Sequence, residues 1–86
     1  MAYKIAYKKS VGRDLKRLSK TEIARVLDKI EKELSKTAGD QPILTGQFAG
    51  LRKYRVGDYR VIYAILGNEA LILRIAHRKD VYKKDF

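Results

Sequence analysis

Residues 51–66 read "LRKYRVGDYRVIYAIL". Two runs rich in β-branched and aromatic residues flank Gly57-Asp58, the pattern of a β-hairpin closed by a two-residue turn. Such a turn fixes the register. Val56 falls opposite Tyr59, Arg55 opposite Arg60, Tyr54 opposite Val61 and Lys53 opposite Ile62. Directly opposed residues share a face, so the hairpin separates into two. One face holds Tyr54, Val56, Tyr59, Val61, Tyr63 and Ile65, and it reads as core. The other holds Leu51, Lys53, Arg55, Arg60, Ile62 and Ala64, and it collects three cations. No acid occurs between Asp40 and Asp58. Opposed like charges cost up to about 1 kcal/mol per pair. Either Asp58, Asp80 or Asp85 folds back to neutralise them, or the face awaits an anionic ligand.

Working outward, residues 70–77 continue the strand pattern and can be aligned in two ways. A two-residue turn at Gly67-Asn68 places Arg74 and Arg78 on the apolar face. A three-residue turn, Gly67-Asn68-Glu69, places Leu71, Leu73, Ile75 and His77 there, and sends Arg74, Ala76 and Arg78 to the charged face. The second alignment is preferred, because burying unpaired arginines is costly. Upstream, "AYKIAYK" (2–8) alternates as a half-buried strand, with Tyr3, Ile5 and Tyr7 on one face. Ser10 can cap a first helix through Val11, Leu15 and Leu18. "SKTE" (19–22) is a capping box, followed by Ile23, Val26, Leu27, Ile30 and Leu34 at helical spacing. Asp28 and Lys32 form a favourable surface pair. This second helix ends near Thr37 to Gly39. Residues 39–50 hold the only proline and form a loop anchored by Ile43, Leu44 and Phe48. The tail "RKDVYKKDF" is compatible with a short helical turn.

The order βααβββ predicts an α+β fold. Two N-terminal helices pack on one face of a mainly antiparallel four-stranded sheet, in a single domain over 1–86. A chain of 86 residues, 45% of them hydrophobic, supports one packed core. There is no cysteine and only one histidine, so disulfides, thiolate metal sites and a structural zinc are not expected. No cofactor is expected. No apolar run approaches the roughly 20 residues of a membrane span, and the charged N-terminus lacks an apolar signal core. A cytoplasmic protein without membrane association is the expectation. The net charge of +10 points to polyanionic partners.

"LRKYRVGDYRVIYAI", followed by "AHRKDVYK", closely resembles the RelE/ParE toxin superfamily of type II toxin–antitoxin systems, and "RVGDYRVIY" is a specific signature of it. The resemblance covers essentially the whole chain and implies a RelE-like fold. Its RelE-like branch implies an endoribonuclease that cleaves messenger RNA in the ribosomal A site. There the 2′-hydroxyl attacks the adjacent phosphorus without a metal. Carried over by motif, the catalytic set is Lys53, Arg60, Arg78 and Tyr82. Surrounding cations would favour the phenolate of Tyr82, whose unperturbed pKa is about 10. Arg52, Arg55 and Arg74 are candidate RNA or phosphate contacts, and His77 is a possible acid or base. Leu51 stands where the family pattern has a further lysine, with Arg52 and Arg55 nearest to replace it. The implied partners are an acidic RelB-like antitoxin, the ribosome and mRNA. The ParE-like branch is the alternative: it inhibits DNA gyrase and needs no such catalytic set. A non-catalytic RNA-binding module is a third reading.

Overall fold

The computed structural model describes residues 2–79. Strand β1 (Lys4–Tyr7) leads into a short helix α1 (Val11–Leu15) and a longer helix α2 (Lys20–Lys29). Strands β2 (Arg52–Val56), β3 (Tyr59–Leu66) and β4 (Glu69–His77) follow. The sheet order is β1-β4-β3-β2, with β1 parallel to β4 and the other pairs antiparallel. The expected α+β architecture and strand sequence are therefore present.

The capping box forms as read. Ser19 Oγ accepts the Glu22 backbone N–H at 3.2 Å, and Glu22 Oε1 accepts the Ser19 backbone N–H at 3.2 Å. Ser10 makes no side-chain cap. Beyond Lys29 the helical run widens into a π-helical stretch (Ile30–Leu34), resumes α-helix at Ser35–Thr37 and closes in a 3₁₀ turn at Ala38–Asp40. The widening has a packing reason. Val26, Ile30, Leu34 and Ala38 are all fully buried. Steps of four residues overshoot an α-helical turn by about 40° each, and the wider turn keeps all four side chains on the sheet. On the outer face, Lys29 pairs with Glu33, and Lys32 with Asp28 at 3.0 Å.

The carbonyls at the exit of this run are received by the sheet. Tyr63 is fully buried and its hydroxyl donates to Ala38 O at 2.7 Å. Arg52, opposite Tyr63, donates Nη1 to Gly39 O at 3.1 Å and to Gln41 O at 2.8 Å. A Cβ on Gly39 would stand 2.7 Å from the Tyr3 hydroxyl, so a larger residue there would have to displace the tip of the Tyr3 side chain.

The β2–β3 register is the one read from the sequence: Arg55 lies opposite Arg60 and Lys53 opposite Ile62. Gly57 opens the turn at φ +58, with Asp58 at negative φ, as a II′ turn requires. The β3–β4 turn corrects the sequence reading. Leu66 faces Glu69, so the turn is the two-residue Gly67-Asn68 and not the three-residue one. Arg74 nonetheless reaches the charged face, because a β-bulge intervenes. Tyr63 faces Ile72 but Ile62 faces Arg74, leaving Leu73 as an extra residue. Before the bulge, Ala70 and Ile72 face the helices; after it, Ile75 and His77 do, opposite Val61 and Tyr59. Leu71 lies opposite Ala64 on the other face, against the expectation that it would join the core.

The main core lies between the helices and the sheet, built from Val11, Val26, Ile30, Leu34, Val56, Val61, Tyr63, Ile72 and Ile75 among others. A second, smaller cluster sits on the opposite face. There Ile62 and Ala76 are covered by Leu44 and Leu51. The segment before β2 doubles back along it: Leu44 N–H donates to Leu51 O at 2.7 Å, and Ile43 bridges to Arg52. Leu44 thus anchors the loop, whereas Ile43, also expected to do so, is 57% exposed. Among the described residues, no helix is long and apolar enough to cross a membrane.

Candidate nucleic-acid interface

The face turned away from the helices can be read row by row across β2, β3 and β4. One row is Lys53, Ile62 and Arg74; the next is Arg55, Arg60 and Ala76. At the turn end, Arg78 N–H donates to Asp58 O at 2.8 Å, extending the ladder by one step. Alternation then places Arg78 on the same side as Arg74 and Ala76. Lys53, Arg55 and Arg60 line one depression of about 220 Å³, walled by Gln41 and Pro42 from the loop. Sequence reading found the three cations but missed this wall, since nothing in "GDQPIL" announces where the loop returns to the sheet.

Mutual repulsion between Arg55 and Arg60 is offset locally by the turn itself. Gly57 O accepts from Arg55 Nε at 3.2 Å and from Arg60 Nη1 at 3.4 Å. A peptide dipole therefore stands between two opposed guanidiniums. Among the described residues no carboxylate forms an ion pair with Lys53, Arg55, Arg60 or Arg78. Asp80 and Asp85 lie outside the described residues. Five hydrogen-bond donors per guanidinium suit planar bidentate contact with a phosphate, while Lys53 offers a mobile point charge.

The remaining candidates are placed differently. Arg78 is exposed. Arg74 is only 7% exposed, so it lies beneath the surface of the face. Arg52 is on the helix side, where its parity in the strand puts it; the correction concerns its expected phosphate contact, since it is tied to Gly39 and Gln41 as described above and lies away from the depression. Leu51, in place of the family's further lysine, packs over Ile62. Tyr82 lies outside the described residues.

His77 also faces the helices. Its ring meets Tyr59 edge-on with centroids 5.7 Å apart, and its Nδ1 accepts the Lys79 backbone N–H at 3.2 Å. In the neutral ring the proton therefore sits on Nε2. Tyr59 in turn donates its hydroxyl to Glu22 Oε2 at 2.9 Å. That bond holds Glu22 below its usual range, helped by Ser19, and raises Tyr59. His77 lines a small cavity of about 110 Å³ with Asp14, Arg17, Leu18, Tyr59, Ile75 and Ala76. The lone histidine is thus separated by the thickness of the sheet from Lys53 and Arg60.

Three comparisons bear on this arrangement. Among curated proteins, none matches the chain significantly. Among solved structures, the toxin–antitoxin complex RelBE2 from Mycobacterium tuberculosis has a chain 28% identical, covering 91% of this chain and 100% of that one, with a TM-score of 0.84. The chromosomal ParDE system of P. aeruginosa matches at 13% identity and TM-score 0.73, covering 88% of this chain and 96% of that one. An E. coli toxin RelE variant in complex with an antitoxin peptide matches at 19% identity and TM-score 0.67, covering 96% and 93%. The last two are likenesses of fold. The sequence pattern of the ParE toxin of the type II toxin–antitoxin system parDE matches residues 5–82. With a match running over nearly its whole length, the chain belongs to this ParE toxin family, within the RelE/ParE superfamily of type II toxins.

Proposed function

We propose that this toxin is an endoribonuclease that cleaves mRNA in the ribosomal A site, acting as a single domain over 1–86 without a metal. The observation that carries this reading is the depression lined by Lys53, Arg55 and Arg60, with no carboxylate paired to those cations among the described residues. In the proposed step a base, assigned to Tyr82 by the resemblance, takes the proton of the 2′-hydroxyl. The 2′-oxygen bonds to phosphorus, the bond to the 5′-oxygen breaks, and that oxygen takes a proton from water as it leaves. The products are a 2′,3′-cyclic phosphate and a 5′-hydroxyl. Negative charge gathers on the non-bridging oxygens of the phosphorane. Fixed cations aimed at those oxygens are the dominant kind of stabilisation in such chemistry. Arg60 and Arg55 grip the phosphate, Lys53 offsets the developing charge, and exposed Arg78 adds a further guanidinium on the same face for phosphate contact. An acidic RelB-like antitoxin would silence the toxin by covering the same charge.

The family match favours a second reading, a ParE-like inhibitor of DNA gyrase that docks on protein and cleaves nothing. Purified toxin added to a translating extract separates the two. mRNA ends are mapped by primer extension, beside naked RNA and a gyrase supercoiling assay. Codon-phased cuts confined to translated message are expected. Intact message with blocked supercoiling would replace the first reading by the second.

A further inference from the structure

Strand β1 ends at Tyr7, and Lys8 N–H to Ile72 O, at 2.8 Å, is its last bond to β4. Strand β4 continues to His77. Among the described residues, from Arg74 onward it has β3 on one side and no strand on the other. Helix α1 takes the vacant place. The Ile75 N–H, which would have bonded to a neighbouring strand, donates instead to Asp14 Oδ2 at 3.0 Å. Ile75 is fully buried, so this N–H has no access to water. A buried donor without an acceptor is strongly disfavoured. The bond falls two residues beyond the bulged Leu73, at the first turn-end stretch that carries the new parity.

Two registers compete for this stretch. Continuing the Gly67-Asn68 register without a bulge would place Leu73, Ile75 and His77 on the basic face and turn Arg74 and Arg78 towards the helices. The bulged register, which the structure has, does the reverse. Reversing the parity would also rotate the Ile75 N–H away from Asp14. We propose that Asp14 is a positioning residue: its carboxylate, by accepting the Ile75 N–H, selects the bulged register and so delivers Arg78 to the basic face. It touches no substrate in this role. A helix residue on the far side of the sheet thereby determines the composition of the site.

The test compares Asp14→Ala, Asp14→Leu and Asp14→Asn with the parent. Asn keeps an acceptor oxygen without the charge. Two readouts are taken: amide hydrogen exchange by NMR, and mRNA cleavage in the translating extract. Only the second rests on the functional reading above. In Asp14→Ala and Asp14→Leu, exchange at Ile75 and Arg78 is expected to quicken about tenfold or more, as the hydrogen bond from the Ile75 amide to Asp14 is lost. Exchange at Val26 and Ile30 should stay parental. Cleavage should fall about tenfold to a hundredfold, the scale of a misplaced catalytic group. Asp14→Asn should retain parental exchange and cleavage. Parental exchange at Ile75 and Arg78 together with parental amide chemical shifts along β4 in the Ala and Leu variants would overturn the proposal. Equal damage in the Asn variant would overturn it too, by making charge the cause. Global unfolding of both Ala and Leu variants would overturn it in favour of a purely structural role. If the parent itself cleaves no mRNA, the functional reading fails while the exchange arm still decides this one.

Discussion

Removing Arg52 should damage the fold and spare the binding of RNA, the opposite of what its place in a basic hairpin suggests. Its Nη1 donates to Gln41 O at 2.8 Å and to Gly39 O at 3.1 Å, both at the exit of the long helical run. Hydrogen bonds to a charged donor contribute about 1.5–3 kcal/mol each when buried. One of these two is at an exposed edge, so its contribution is small. A cation near a helix C-terminus adds about 0.3–1 kcal/mol. Together these give about 2 kcal/mol for Arg52→Ala. In a domain of this size that lowers Tm by about 8–15 °C. Arg60→Ala should leave Tm within a few degrees of the parent, since its two backbone contacts are long, at 3.4 Å each. It should lower affinity for single-stranded RNA and reduce the salt slope of binding by about 0.7, the value for one lost phosphate contact. The assays are thermal denaturation by circular dichroism and RNA binding across a salt series. An Arg52→Ala variant with parental Tm and a reduced salt slope would refute the reasoning. Arg52 would then be part of the phosphate-facing surface despite its contacts.

Arg55→Gln should raise stability, because it removes one of two opposed charges. At about 6 Å in water that repulsion is about 0.7 kcal/mol, and salt at 0.1 M roughly halves it. Urea denaturation should show a gain that fades at 1 M salt, and a gain independent of salt would show that charge is not its source. Tyr59→Phe should flatten the acid limb of the stability curve. Glu22 is depressed below its ordinary 4.5, chiefly by the Tyr59 hydroxyl. A depressed carboxylate stabilises the fold above its unfolded pKa, and that contribution is lost as pH falls through the folded value. Removing the hydroxyl shrinks the difference, so unfolding titrations from about pH 5 down to about pH 3 should show a smaller loss than in the parent. An unchanged acid limb would mean that the Ser19 bonds, not Tyr59, hold Glu22 down.

The parts legible in the sequence are those fixed by local rules. Gly57-Asp58 sets a register, and the register alone puts Lys53, Arg55 and Arg60 on one face. "SKTE" starts a helix because two backbone donors find side-chain acceptors within three residues. The parts that were not legible depend on contacts between distant segments. Arg52 was separated from its neighbours only by parity. Its bonds to Gly39 and Gln41 require knowing where the helix exits. Leu51 looks like a gap in a basic motif until Leu44 is seen beside it, covering Ile62. Likewise Glu22 is legible only as half of a helix cap, and Asp14 carries no local signal, yet one accepts a hydroxyl of β3 and the other an amide of β4.

The bulge in β4 shows why no uniform alternation could have resolved this strand. In "ALILRIAH" the residues that face the helices are Ala70 and Ile72, then Ile75 and His77. The step from Ile72 to Ile75 is odd, and strict alternation of faces allows only even steps. Either alignment weighed from the sequence was therefore right for one half of the strand and wrong for the other. The two-residue turn holds up to Ile72, and the charged-face assignment of Arg74 holds beyond it. One extra residue, Leu73, satisfies both the turn and the arginines. Its position follows from the neighbouring strand. Up to Ile72, β4 is bonded on both sides, and an inserted residue would break two ladders. Past Lys8, β1 has ended, and an insertion disrupts only the ladder to β3. The freed edge still needs an acceptor, and α1 supplies it through Asp14. The end of β1, the bulge and Asp14 therefore act as one unit. That unit is what lets a strand with a continuous apolar start finish with arginines on the opposite face.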